Sequence, residues 1–240
     1  MGLLLAVFVA VHGRGRFSRE NVGTWWYRVL LRILEVRLVV RGPRLAGTRV
    51  MVCNHISWLD IPVVGACEPT RFVSKAEVGE WPVIGWLADA AGTFYLRRGS
   101  GGTKQLIESI DRHLGHDSIV FFPEGTTTDG SIVLKFQPRL FATAIETRRP
   151  VQPIALRFST AADGTATAPY IGDDVLFDNI VRLLKHGPIT AELTYCEPID
   201  PAGHDRASLA LAAHTAICSV VAPDSIRLPS SRDARSAIAA

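Results

Sequence analysis

His55 and Asp60 stand five positions apart in the run Asn54-His55-Ile56-Ser57-Trp58-Leu59-Asp60, and a second polar cluster, Phe122-Pro123-Glu124-Gly125-Thr126-Thr127, follows far downstream. Imidazole is suited to taking a proton near neutral pH, and a carboxylate on its other nitrogen fixes the tautomer and stabilises the imidazolium that forms. Within a helix the pair cannot meet, because five residues advance about 500° and leave the side chains roughly 140° apart. The spacing works if His55 lies on a loop leaving a strand and Asp60 opens the next helix, so that the carboxylate curls back to one ring nitrogen. The two clusters together point to catalysis on a hydroxyl substrate.

Taken alone, a His with an Asp is more often a satisfied turn or cap. Ser57 is within reach of the same base as a nucleophile, but it lacks the Gly-x-Ser-x-Gly elbow and fits better as a helix cap. No His, Cys, Asp or Glu cluster at ligand spacing accompanies the pair, so no metal is expected. Cys53, Cys67, Cys196 and Cys218 are scattered without paired spacing, and no secretory cleavage pattern follows the first apolar residues. The expectation is four reduced thiols in the cytoplasm.

The elements that must position these residues are legible in the periodicity. Short β-prone runs occur at 36–40, 49–53, 70–74, 93–96, 118–122, 151–157 and 189–196, and helical patterns at 58–66, 81–91, 103–115, 138–148, 174–186 and 204–221. Strands alternating with helices predict an α/β fold, a layered mixed sheet flanked by helices. His55 then falls just beyond a strand. A long loop at 97–102 and another at 159–169 interrupt the rhythm, and the second is expected to be a mobile flap. The chain divides into an N-terminal segment over 1–35, a catalytic domain over 36–221, and a tail over 222–240 with little to bury and an expectation of disorder.

Charge is uneven. Residues 1–50 hold nine arginines against Glu20 and Glu35, while the net charge of the whole chain is only +3. Residues 21–35 place Val22, Trp25, Trp26, Val29, Leu30, Ile33 and Leu34 at spacings of three and four, with Arg28 and Arg32 on another face. An amphipathic helix of this kind suits an anionic membrane surface, with Trp at the interface and Arg at the headgroups; the competing reading is a stripe packed on the domain. Nucleic acid is not expected as a partner, since no basic stripe or recognisable motif continues the footprint. The apolar run Leu3–Val11 is well short of the roughly 20 residues a spanning helix needs.

Lys75, Trp81-Pro82, Gly85, Gly92 and Arg97-Arg98 lie between the two clusters, and Val151-Gln152-Pro153-Ile154 follows them. In that order and spacing, over roughly residues 35–200, the chain resembles the glycerolipid acyltransferases of the 1-acylglycerol-3-phosphate O-acyltransferase family. That family carries an Asn-His-x4-Asp block, a Gly-x-x-Phe-x-x-Arg-like block, a Phe-Pro-Glu-Gly-Thr block and a later hydrophobic-Pro strand. The resemblance implies that His55 is the base and Asp60 its partner. It assigns Arg98, six residues after Gly92, and the Glu124-Gly125 loop to the acceptor's headgroup, with Thr126, Lys75 and Arg97 in the same substrate-binding set.

A guanidinium fork suits phosphate or carboxylate. Glu124 either accepts a hydrogen bond from the acceptor hydroxyl or pairs with Arg98. Lys135-Phe136 and Gln137-Pro138-Arg139 depart from the family's frequent pattern and bear on the acceptor pocket.

The implied reaction moves an acyl group from acyl-CoA or acyl-carrier protein to a lysolipid hydroxyl, with no metal or bound redox cofactor. The first-ranked acceptor is 1-acylglycerol-3-phosphate, giving phosphatidate in phospholipid biosynthesis. The alternatives are a lyso-ornithine lipid acceptor, a thioester hydrolase, and a non-catalytic lipid-binding protein. The implied partners are the lysolipid, the thioester donor, an acyl-carrier protein as a candidate, and a bilayer held peripherally or monotopically. The implied location is the cytoplasmic face of a bacterial inner membrane.

Overall fold

The computed structural model of the protein describes residues 19–80, 85, 88, 89, 92–96, 102–113 and 118–221. The run Leu3–Val11, most of the helix expected over 81–91, Arg97, Arg98 and the tail from Ala222 lie outside the described residues.

All seven β-prone runs form strands: β1 (Val36–Arg41), β2 (Val50–Cys53), β3 (Thr70–Lys75), β4 (Phe94–Leu96), β5 (Ser118–Phe121), β6 (Val151–Phe158) and β7 (Ile189–Tyr195). They build one sheet in the order β1-β7-β6-β2-β5-β3-β4. The five strands from β6 to β4 are mutually parallel, whereas β7 runs antiparallel to β6 and carries β1 parallel to itself. Strand chemistry follows position. Every residue of β2 and β5 is buried, as strands covered on both faces require, while β7 alternates buried and half-buried residues.

Helices cover both faces. On one lie α1 (Arg19–Ile33), α2 (Asp60–Cys67) and α5 (Leu176–His186); on the other lie α3 (Gly102–His113), α4 (Ala142–Thr147) and α6 (Arg206–Val221). Two apolar cores result. Leu31, Met51, Leu59, Val63 and Leu193 belong to the first, and Ile110, Phe121, Phe141, Leu209 and Ile217 to the second. Each fully buried side chain of this size contributes about 1.5–3 kcal/mol against remaining in water. None of the described helices is long and apolar enough to cross a membrane.

Helix α1 leaves Trp25 and Ile33 of the expected apolar stripe exposed and buries a second side. Thr24, Leu31 and Leu34 are buried and Tyr27 packs edge-on against Phe72 of β3, whereas Trp25 is 52 % exposed and Ile33 is also exposed. At about 100° per residue, Trp25, Trp26, Val29 and Ile33 lie on the side opposite Tyr27, Leu31 and Leu34. The helix is therefore apolar on two sides, and Leu34 belongs to the packed side. Gly65 of α2 makes the packing close, since a Cβ there would come 2.3 Å from the Tyr27 ring. Arg28 ties the same contact by donating from Nε to the Ala66 carbonyl at 2.8 Å.

The loop expected to be a mobile flap lies as a strap tied to the domain at several points. Ala161 and Ala168 are buried in the first core, Asn179 and Arg182 of α5 donate to the Pro169 carbonyl at 2.9 and 2.7 Å, and the Tyr170 amide donates to the Ile56 carbonyl at 3.0 Å. The small alanines let the strap lie against the core, and a polar residue inside α5 satisfies its backbone.

Candidate active site

Strands β2 and β5 are parallel neighbours, with Val52 opposite Phe121, so the chain leaving Cys53 emerges beside the chain leaving Phe121. His55 and Glu124 thereby share the carboxyl edge of the sheet, where open α/β sheets characteristically place their ligands. Asn54 anchors the exit on the other side. Its amide donates to the Leu156 carbonyl at 2.9 Å and its oxygen accepts from the Leu156 amide at 2.8 Å, so β6 grips the turn.

Beyond Asn54 the backbone bends into α2, which opens at Asp60. The His55 Nδ1–H donates to Asp60 Oδ2 at 2.7 Å, and the same oxygen accepts the amides of Ile56 at 2.7 Å and Ser57 at 3.0 Å. The five-residue spacing is thus closed across a bend. Asp60 is wholly buried, and its Oδ1 has no partner among the described residues. With Nδ1 donating, Nε2 is the acceptor nitrogen whenever the ring is neutral. It meets no hydrogen-bond partner among the described residues, and the side chain is 21 % exposed. The ring is also clamped by stacking on Phe122, with centroids 4.2 Å apart. An imidazole held by a buried carboxylate, stacked, and open at one nitrogen is the arrangement general-base chemistry needs.

Glu124 is buried, and both its oxygens accept backbone amides: Oε1 that of His55 at 2.7 Å, Oε2 that of Leu134 at 2.8 Å. Burial pushes its carboxyl up to about 8; the two amides oppose the shift and nearby Asp60 adds to it. Gly125 adopts φ +75°, and a Cβ there would lie 2.6 Å from Gln137 Nε2, so both the backbone conformation and the approach of Gln137 call for glycine. Thr126 is exposed beside it, and Lys75, also exposed, ends β3 at the same edge of the sheet. Arg97 and Arg98 lie outside the described residues; β4, which precedes them, runs parallel to β3.

Further contacts complete the site. The Thr128 amide donates to the His55 carbonyl at 2.9 Å, and Thr127 Oγ1 donates to the Tyr170 carbonyl at 2.5 Å, binding the strap to the motif loop. Trp58 donates from Nε1 to Asn179 Oδ1 at 2.9 Å. Asn179 is a buried polar residue in an otherwise amphipathic helix and lies outside both motifs.

A family model described as Acyltransferase matches residues 34–157, which span β1 to β6 and include His55, Asp60 and Glu124. The chain belongs to the acyltransferase family. Its relatives include the lyso-ornithine lipid O-acyltransferase of Pseudomonas aeruginosa, 38 % identical over 90 % of this chain and 86 % of that protein. They also include the 1-acyl-sn-glycerol-3-phosphate acyltransferase of Neisseria meningitidis, 30 % identical over 82 % of this chain and 79 % of that one. The fold is similar to the crystal structure of the 1-acyl-sn-glycerophosphate acyltransferase PlsC from Thermotoga maritima. There the TM-score is 0.67 at 21 % identity, covering 95 % of this chain and 98 % of that chain. This acyltransferase has the mixed seven-stranded sheet flanked by helices that its residue pattern predicts.

Proposed function

We propose that this acyltransferase moves a fatty acyl group from an acyl thioester, acyl-CoA or acyl-carrier protein, to the free hydroxyl of a lysolipid. The observation that carries the reading is the His55–Asp60 contact at 2.7 Å with Nε2 left unpartnered at the sheet edge. Nε2 takes the hydroxyl proton as the oxygen attacks the thioester carbonyl. The tetrahedral intermediate then collapses, the carbon–sulfur bond breaks, and the imidazolium returns the proton to the departing thiolate. Asp60 keeps Nδ1 protonated and stabilises the transient imidazolium.

For the acceptor, the relative from Pseudomonas aeruginosa supports a lyso-ornithine lipid. The relative from Neisseria meningitidis favours 1-acylglycerol-3-phosphate as the second reading. The deciding experiment offers lyso-ornithine lipid, lysophosphatidate and glycerol phosphate with acyl-CoA and identifies products by mass spectrometry. An acylated lysolipid supports the proposal. Free fatty acid formed at the same rate with or without lysolipid would make the protein a thioester hydrolase.

The enzyme meets its lipid at the cytoplasmic face of the membrane through the outer side of α1. Exposed Trp25 and Ile33 supply apolar contact, and exposed Arg32 supplies charge toward anionic headgroups. Replacing Trp25 and Trp26 with Ser weakens sedimentation with anionic vesicles on this account; unchanged sedimentation would remove α1 from the membrane contact.

A further inference from the structure

The geometry points to Glu124 as a positioning residue for the base, one that fixes the His55 backbone so that the imidazole stays aligned with Asp60. It deepens the proposed function and rests on His55 acting as base.

Three consecutive amides in the turn end on carboxylate oxygens: His55 on Glu124, and Ile56 and Ser57 on Asp60. Glu124 adds a second tie at Leu134, ten residues further on, so one side chain joins the turn after β2 to the loop after β5. The other backbone polar group of the same residue is held as well, because the His55 carbonyl accepts the Thr128 amide. Both backbone hydrogen-bonding groups of His55 therefore terminate on the segment from Glu124 to Leu134.

That segment is itself braced. Thr128 Oγ1 donates to the Ile132 carbonyl at 3.3 Å, and the Gln137 amide donates to the Pro123 carbonyl at 2.9 Å. With only 5 % of its surface exposed and each oxygen on an internal amide, Glu124 faces the chain. The exposed residues around it are Thr126 next to it and Gln137 over Gly125. A displacement of about 1 Å in a reacting group is enough to cost about a hundredfold in rate. Rotation of the peptide between Asn54 and His55 would move the imidazole by that order.

The test is Glu124→Gln, which keeps the volume, leaves one acceptor oxygen, and turns an amino group toward the other amide. Assays at about pH 9 lie above the value to which burial pushes the wild-type carboxyl, so that it is ionised. The expected result is a kcat lower by about 10- to 100-fold with KM for the lysolipid within about twofold of wild type. In proton NMR the downfield His55 Nδ1–H resonance moves or broadens. A raised KM for lysolipid with kcat preserved would make Glu124 an acceptor ligand, and an unchanged kcat with an unchanged resonance would leave it no part in aligning the base.

Should the variant not fold, hydrogen exchange on the wild-type protein decides. The His55 and Leu134 amides are expected to be protected as strongly as those of β2, and exchange at the rate of exposed loop amides overturns the proposal. The base itself is tested separately by His55→Ala, whose activity does not depend on where the Glu124 oxygens point.

Discussion

Buried carboxylates occupy both ends of the same parallel strands, but the two ends satisfy them differently. At the amino edge, Glu68 lies before β3 and takes Arg49 Nη2 on its two oxygens at 2.5 and 2.6 Å, with the Tyr195 hydroxyl donating at 2.8 Å. Arg49, which precedes β2, also reaches the Gly47 carbonyl at 3.0 Å and Ser118 Oγ at 3.3 Å. Arg49 and Glu68 are 2 % and 7 % exposed, and the cluster presents no titratable nitrogen to solvent. At the carboxyl edge, Asp60 and Glu124 take backbone amides, and the one side chain bound to them among the described residues, His55, keeps a nitrogen open. Side-chain donors saturating a carboxylate make a clasp between strands; backbone donors leave the imidazole available for chemistry. The contrast assigns stability to one end and turnover to the other.

The largest effect in breaking that contrast belongs to the clasp. Arg49→Met leaves Glu68 buried without its cation, and loss of one partner from a buried pair costs about 3–5 kcal/mol. A lowered denaturant midpoint with near-wild-type kcat in the folded fraction is the expected outcome. Equal stability would mean that the clasp does not hold the sheet.

Asp60→Asn is next. It replaces the shared oxygen or turns an amino group toward the Ile56 and Ser57 amides, and it loses control of the tautomer, so kcat falls by about 10²- to 10³-fold, about 3–4 kcal/mol at the barrier. An unchanged rate would reduce Asp60 to a cap on α2.

A separate test is the pH dependence of stability contributed by Glu124. Its carboxyl titrates near its ordinary 4.5 when unfolded and near about 8 when folded, so between these values the folded chain holds a proton that the unfolded chain has lost. Raising the pH through that window favours unfolding. Wild type should therefore lose stability relative to Glu124→Gln as pH rises from about 4.5 to about 8, and then level off. Parallel melting curves across the window would mean that the Glu124 carboxyl titrates alike in both states.

The carboxyl edge was more legible in the sequence than the clasp. His55 and Asp60 advertise themselves by residue type and a spacing that only a bend can close, and the strand that delivers them is a plain apolar run, Val50–Cys53. Arg49, Glu68 and Tyr195 carry no such signal, because their meeting depends on β7 lying antiparallel to β6, so that its last residue reaches the amino edge. Helix α1 was legible on one side only. Its periodicity is genuine on two sides, and Trp25, Trp26 and Ile33 outweigh Thr24 and Tyr27 in hydrophobicity although the latter side packs on Gly65. Glu124 was visible as a motif residue, but its ties to the amides of His55 and Leu134 were not, since a backbone donor looks the same at every non-proline position.

The central claim, that the open nitrogen of His55 removes the acceptor proton, is tested most directly by His55→Ala assayed for acylated lysolipid by mass spectrometry. Loss of a positioned general base should lower kcat by about 10²- to 10⁴-fold, with the denaturant midpoint close to wild type because buried Asp60, which loses the imidazole, retains the Ile56 and Ser57 amides on Oδ2. Acyl transfer by that variant at near-wild-type rate would contradict the account.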